Sequence, residues 1–261
     1  MKKTFFASLI LAASSLIVTA NAAVVQSMDF SSPVTTGATQ APGTWYTDRY
    51  APDAFYTTGG ELIQTISSND SASNRPAGFA SAFYNTQGRK YDVDVSTTEI
   101  SVDLYVDSDW ATMSQRIAGI WGTAYDDANV ITSYPILEFG SNGSVGSFQG
   151  WNNGTWSNFG LPVGFAYNTM HNLSIELVGG LWDYSLDGLL LGSVDANGST
   201  HIGNVILQGY NAYGANDVAS HNIRWDNFAA QNNVPEPGTL PLALAAAAGV
   251  IGFGRRNKTT V

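Results

Sequence analysis

The 261-residue sequence predicts an all-β chain, an antiparallel β-sandwich, on three observations. Apolar and polar residues alternate over several short runs, turn pairs such as Asn-Gly and Asp-Gly separate those runs, and helical periodicity is nearly absent. Ten or more strands spaced in this way bury one face each by stacking in two sheets.

Taken in chain order, residues 24–30, 61–66 and 78–84 read as strands. The clearest run is TTEISVDLYVD, in which Ile100, Val102, Leu104 and Val106 share one face and Ser101, Asp103 and Tyr105 the other. Further strands are expected over 116–121 and 131–139. In HNLSIEL, Leu173, Ile175 and Leu177 alternate with Asn172, Ser174 and Glu176. Trp182, Tyr184 and Leu186 follow in LWDYSLDGLLLG, which turns at Asp187-Gly188 into the next strand. Residues 204–207 and 222–228 complete the set, and Asn142-Gly143, Asn153-Gly154 and Asn197-Gly198 supply turns.

The two ends differ from this body. Residues 1–22 carry Lys2 and Lys3, an apolar stretch from Phe5 to Val18, and Ala20-Asn21-Ala22, the layout of a secretory signal peptide cut by signal peptidase. Near the other end, residues 240–254 are apolar or small apart from Pro241, and are expected to form a short transmembrane helix of roughly 21 Å at 1.5 Å per residue. That is short against a hydrocarbon core of about 30 Å. Arg255, Arg256 and Lys258 follow, a cluster that stays on the cytoplasmic side, so the body is expected in the periplasm with the tail in the inner membrane. The domain plan is therefore a signal at 1–22, a sandwich at 23–228, a linker at 229–234 and a tail at 235–258.

Charge narrows the partners. The chain has 11 basic and 21 acidic residues; the ends hold five and one of these, which leaves six against twenty, or −14, on the body. Such a surface repels nucleic acid. There is no cysteine, so disulfides, thiolate chemistry and cysteine zinc sites are excluded.

Val234-Pro235-Glu236-Pro237, then Thr239, a short apolar run and Arg255-Arg256 resemble the PEP-CTERM sorting signal. That resemblance implies processing by an exosortase and eventual delivery to the cell surface or extracellular matrix. Asp29-Phe30 in the first strand, Trp45, the hairpin MHNLSIELVGGLWDYSLDGLLLGSV and the closing IRWDNF resemble a concanavalin A-like or laminin-G-like jelly roll. The jelly-roll resemblance implies a calcium shared by the first and last strands, which names Asp29 and Asp226. A backbone N–H donating to Asp226 is the other reading.

No complete catalytic motif is present. Glu99, Asp103 and Asp107 share one strand face, but their spacing is not the Glu-x-Asp-x-(x)-Glu of concanavalin A-like glycosidases, and a solvated face is the plainer reading. Asp107, Asp109, Asp126 and Asp127 flank loops without EF-hand spacing, and His171, His201 and His221 stand isolated. Trp45, Trp110, Trp121, Trp182 and Trp225 lie in or near strands and are expected in the core. In FQGWNNGTWSNFG, Trp151 and Trp156 flank an Asn-Gly turn, where they either bind a sugar ring or close one end of the core.

These readings combine into a non-enzymatic, exported surface or matrix protein associated with exopolysaccharide; a glycan-active hydrolase or lyase of the same fold is the alternative. Deleting residues 235–261 is expected to change where the protein is found without changing the fold of the body. Cell fractionation with circular dichroism checks this, and a body that fails to fold makes the tail structural.

Overall fold

The computed structural model describes residues 23–212 and 220–233. The expected signal peptide, Val234 onward and the helix at 240–254 lie outside them. Among the described residues, no helix is long and apolar enough to cross a membrane.

The chain opens with β1 (Ala23–Met28), β2 (Thr36–Gly37), β3 (Trp45–Thr47), β4 (Ala54–Thr58), β5 (Glu61–Ile66) and β6 (Thr86–Asp92). The centre holds β7 (Glu99–Val106), β8 (Arg116–Tyr125), β9 (Ile131–Ser133), β10 (Ile136–Ser141), β11 (Gly146–Asn152) and β12 (Thr155–Gly160). The rest is β13 (Thr169–Val178), β14 (Leu181–Leu186), β15 (Leu189–Asp195), β16 (His201–Tyr210) and β17 (His221–Asn232). An eight-stranded sheet runs β15-β14-β13-β7-β17-β5-β4 with β1 beside β17. A nine-stranded sheet runs β12-β11-β10-β8-β16-β6-β3-β2 with β9 beside β8. All pairings between these strands are antiparallel except β2 with β3. This is the sandwich that the alternation predicts.

The eight-stranded sheet behaves as its sequence says. Ile100, Val102, Leu104 and Val106 of β7 are fully buried, as are Leu173, Ile175, Trp182 and Tyr184. Asp187 and Gly188 both have positive φ, 51° and 76°, the backbone that a two-residue hairpin with the right twist requires. The nine-stranded sheet supplies the other wall through Ile117, Ile120, Leu137, Phe139, Phe148, Val205 and Leu207. Polar links cross this interior: Trp182 Nε1 donates to Ser133 Oγ at 2.9 Å, with Ser133 bonded to Ser199, Tyr184 OH donates to the Trp151 carbonyl oxygen and Gln64 Nε2 to that of Gln87.

Three expectations change. Residues 78–84 are not a strand but the 3-10 helices Ala77–Phe79 and Ala82–Asn85. Their apolar residues have no layer to cover; Phe79 is left packing edge-on against Tyr50 and Tyr84. The strand read over 131–139 is broken at Pro135, which has no N–H for a ladder, into β9 and β10. The linker read from 229 is strand instead: β17 continues to Asn232, paired with both β1 and β7, and Ala230 is fully buried. Even Asn233 is docked, its side chain donating to Glu99 and Glu176 at 2.5 and 2.9 Å. Short alanines and amides look like a linker but pack well as the middle strand of a sheet.

Trp182→Phe keeps most of the buried ring and removes its cross-sandwich hydrogen bond. A loss of about 1–3 kcal/mol in urea unfolding is expected.

Candidate functional site

The nine-stranded sheet has a second face, turned away from the sandwich interior, and its residues can be followed across the strands by register. One row reads Gln149, Glu138, Gly119, Gln208, Gly88. The next reads Ile136, Trp121, Ile206, Lys90, Tyr46. Beyond Ile136 stand Trp151 and Trp156, paired across β11 and β12. Their rings are 5.1 Å apart and pack on Trp121, Ile136 and Ile206, a cluster separate from the main core. This is the outer wall of the sheet, not one end of the core. Trp121 is buried as expected but belongs to this outer cluster; Trp45, Trp110, Trp182 and Trp225 are in the core.

Glu138 sits at the floor of this face, 1% exposed. Arg116 Nε and Nη2 donate to its two oxygens at 2.6 and 2.8 Å, a bidentate fork. Gln149 Nε2 adds a bond of 2.5 Å from one side and Gln208 Nε2 a bond of 2.7 Å from the other. Gln208 is two strands away from Glu138 and reaches it only because Gly119 lies between. A Cβ on Gly119 would stand 2.4 Å from Glu138 Cβ and 2.4 Å from the Leu137 carbonyl oxygen. Burial alone would lower the pKa of Arg116; the charge of Glu138 and its hydrogen bonds outweigh that and hold it above the usual range.

Over this floor lies a cleft of about 460 Å³, walled by Phe83, Trp121, Tyr134, Trp151 and Trp156 and carrying Arg49 and Arg116. A second, smaller hollow of about 240 Å³ begins at Arg116 and runs past Ser141, Ser147, Gln149 and Asn158. An aromatic half and an amide half thus meet at one arginine. Trp121 Nε1 and Gln208 Oε1 are buried without a hydrogen-bond partner among the described residues.

The other residues singled out in the sequence lie elsewhere. Glu99, Asp103 and Asp107 belong to β7 and its end, in the eight-stranded sheet, where Asp103 is taken up by Asn172 and Asn227. Asp107 caps a short 3-10 helix through the Asp109 N–H, and Asp126 accepts from Ala128 and Val130 in a turn. Asp29 and Asp226 are neighbours through the β1–β17 pairing. Asp29 accepts from Ser31, which lowers its pKa, whereas burial and then the charges of Asp103, Glu61 and Asp29 raise that of Asp226. Asp226 also accepts from the Asn227 N–H. Among the described residues, no group of three or more His, Cys, Asp or Glu side chains is placed to hold a metal. His171 bridges Asp187 and the Ala166 carbonyl oxygen, far along the eight-stranded sheet.

Residues 233–258 match the PEP-CTERM protein-sorting motif. The chain carries a sorting signal. The motif implies export, membrane anchoring before cleavage and processing by an exosortase. No curated protein matches the chain. Solved structures do. A non-specific endo-β-1,3(4)-glucanase of family GH16 aligns with a TM-score of 0.54 at 14% identity, covering 81% of this chain and 91% of that one. The catalytic domain of a laminarinase from Thermotoga petrophila RKU-1 gives 0.51 at 11%, covering 81% and 98%. A GlcNAcα1-4Gal-releasing endo-β-galactosidase from Clostridium perfringens gives 0.54 at 12%, covering 89% and 66%. At such identities the likeness establishes the fold, a concanavalin A-like jelly roll.

These relatives in shape overturn the expectation of a non-enzymatic matrix component, because the solved proteins that share the sandwich are named as glycan hydrolases. The physical reason for the error is one of place. Catalytic carboxylates were sought along β7, whereas the concave, aromatic face belongs to the other sheet. Glu138 had a signal in the sequence, a charge enclosed by Leu137 and Phe139 in YPILEFG. A charge inside an apolar run is costly to bury unless paired and bonded.

Gly119→Ala drives a methyl group into Glu138 and the β10 backbone. A loss of about 1–3 kcal/mol in urea unfolding is expected, larger than for Gly78→Ala, where the added Cβ meets nothing within 4 Å and φ is not positive.

Proposed function

We propose that the chain is an exported, glycan-active hydrolase whose cleft on the nine-stranded sheet takes an extended surface polysaccharide. The observation that carries this reading is the convergence of Trp121, Trp151 and Trp156 on one cleft that Arg49 and Arg116 also line. Sugar C–H faces pack on indole rings while hydroxyls meet amides, and the two hollows sharing Arg116 offer both along one line. Signal peptidase and an exosortase deliver the body outward, to the cell surface or matrix.

Paired-carboxylate hydrolysis needs about 5 to 10 Å between the two groups. Glu138 and Asp92 are the only acidic residues on strands of this sheet. They are three strands apart, roughly 14 Å at about 4.8 Å per strand, before their offset along β6 is added, so they do not form such a pair. Glu138 is a positioning residue: buried and bonded by Arg116, Gln149 and Gln208, it fixes the Arg116 guanidinium where the two hollows meet.

The purified full chain is expected to release reducing ends from at least one member of a panel of β-glucans, galactans and uronans. Glu138→Gln breaks the fork on Arg116 and should raise KM about tenfold or more, with a loss of about 3–5 kcal/mol in urea unfolding. Trp151→Ala should raise KM with little change in kcat. Absence of release across the whole panel sinks the hydrolase reading.

A further inference from the structure

The body has six cations against twenty acidic residues, yet three of the six, Arg49, Lys90 and Arg116, lie on the cleft side of the nine-stranded sheet. Three carboxylates accompany them. Glu138 is consumed by the Arg116 fork. Asp92 accepts from Tyr46 and Gln40. Asp48 is shared: it lies 2.8 Å from Lys90 Nζ and 3.4 Å from Arg49 Nε, so it uses none of the terminal nitrogens of Arg49.

The Cζ of that guanidinium lies over two rings, 4.5 Å from the Phe83 centroid and 4.2 Å from that of Trp121. Its terminal nitrogens meet no acceptor among the described residues, although the side chain is only 18% exposed. Burial, and then repulsion from Arg116, lower its pKa against the pull of Asp48. Two guanidiniums sharing one aromatic cleft repel each other in a low-dielectric setting. On a body of net −14, an alternative use for such a cation would be to pair with one of many free surface carboxylates. Arg49 does so only through Nε and otherwise lines the cleft beside Phe83 and Trp121.

We propose that the cleft selects an acidic polysaccharide, with the carboxylate or sulfate of one sugar unit received by Arg49 in the wall built by Phe83 and Trp121. The proposal rests on the reading of this cleft as a glycan site and adds the substrate class. Arg49 binds the anion through its two unused terminal nitrogens, the geometry in which arginine is most specific for carboxylate and sulfate-like oxygens. Trp151 and Trp156 stack the neighbouring units, so the charged unit lies toward the β3–β6 side of the cleft.

The test uses the full chain in native gels cast with polygalacturonate or alginate for carboxylate, a sulfated galactan for sulfate, and laminarin as the neutral control. Retardation by a charged polymer with weaker retardation by laminarin is expected; the stronger of the two charged arms names the group. Arg49→Gln should weaken binding of the charged polymer about tenfold or more and that of laminarin distinctly less, and Arg49→Lys should fall between wild type and Arg49→Gln, since it keeps the charge and loses the fork. Melting curves of both variants establish that they fold. Equal retardation by laminarin, or an Arg49→Gln variant that binds the charged polymer as wild type does, overturns the acidic substrate and leaves the glycan cleft standing. No retardation by any polymer, with Trp151→Ala no different from wild type, overturns the cleft reading itself and this inference with it.

Discussion

Glu138 carries its charge on a sheet face that looks away from the sandwich interior, yet it is almost completely withdrawn from water. Leaving such a carboxylate unpaired would cost several kcal/mol, and removing one partner of a buried pair typically costs about 3–5 kcal/mol. The surroundings follow from that constraint. Arg116 must stand beside it as a fork, Gln149 and Gln208 must approach from opposite strands, and Gly119 must contribute no side chain between them. Trp156 and Tyr210 then cover the arginine, each 4.6 Å from its guanidinium carbon, so the ion pair is closed from above by rings as well as from below by the sheet.

This second layer explains which parts of the fold the sequence reveals. β7, β13 and β14 face the core on one side and water on the other, and their alternation is plain in ISVDLYV, LSIEL and WDYSL. β8 and β16 are buried on both faces along nearly their whole length, so they lose the alternation that a one-sided strand shows. Only part of each is legible, the first six residues of β8 at 116–121 and the middle of β16 at 204–207, although each runs to ten residues. β6, β11 and β12 were missed for related reasons: TQGRKYD is charged, and GSFQGWN and TWSNFG are rich in glycine and amides. The cleft is made of these least legible strands.

The site divides in the same way. Trp151 and Trp156 were visible because two indoles around an Asn-Gly turn stand out locally. Glu138, Arg116, Gln149 and Gln208 come together from four different strands, separated by up to 92 positions along the chain, and only sheet register brings them together. No spacing rule within one strand could assemble them. The opposite error befell Glu99, Asp103 and Asp107, which share a face in sequence and are held by local asparagines or capping bonds in the structure. A row of acids along one strand is cheap on a wet surface; a single acid inside an apolar run is costly, and the costly feature is the more informative one.

The absence of cysteine gives this arrangement a further consequence. An exported domain without disulfides relies on burial for its stability, and the nine-stranded sheet commits apolar area to both of its faces. Trp121, Ile136 and Ile206 therefore serve stability and shape the cleft floor at once. Arg49 lying on Trp121 adds to that cover through its aliphatic stem and its planar head. The indole part of the cleft, Trp121 with Trp151 and Trp156, belongs to a packed layer, whereas Phe83 and Tyr134 wall it from outside the strands. A preformed, partly desolvated wall loses little on meeting a ligand, and groups held there with unused hydrogen-bonding capacity interact more strongly than they would in water. The outer layer of this sheet is thus where the packing of the fold and the selection of a ligand become one problem, solved by the same residues.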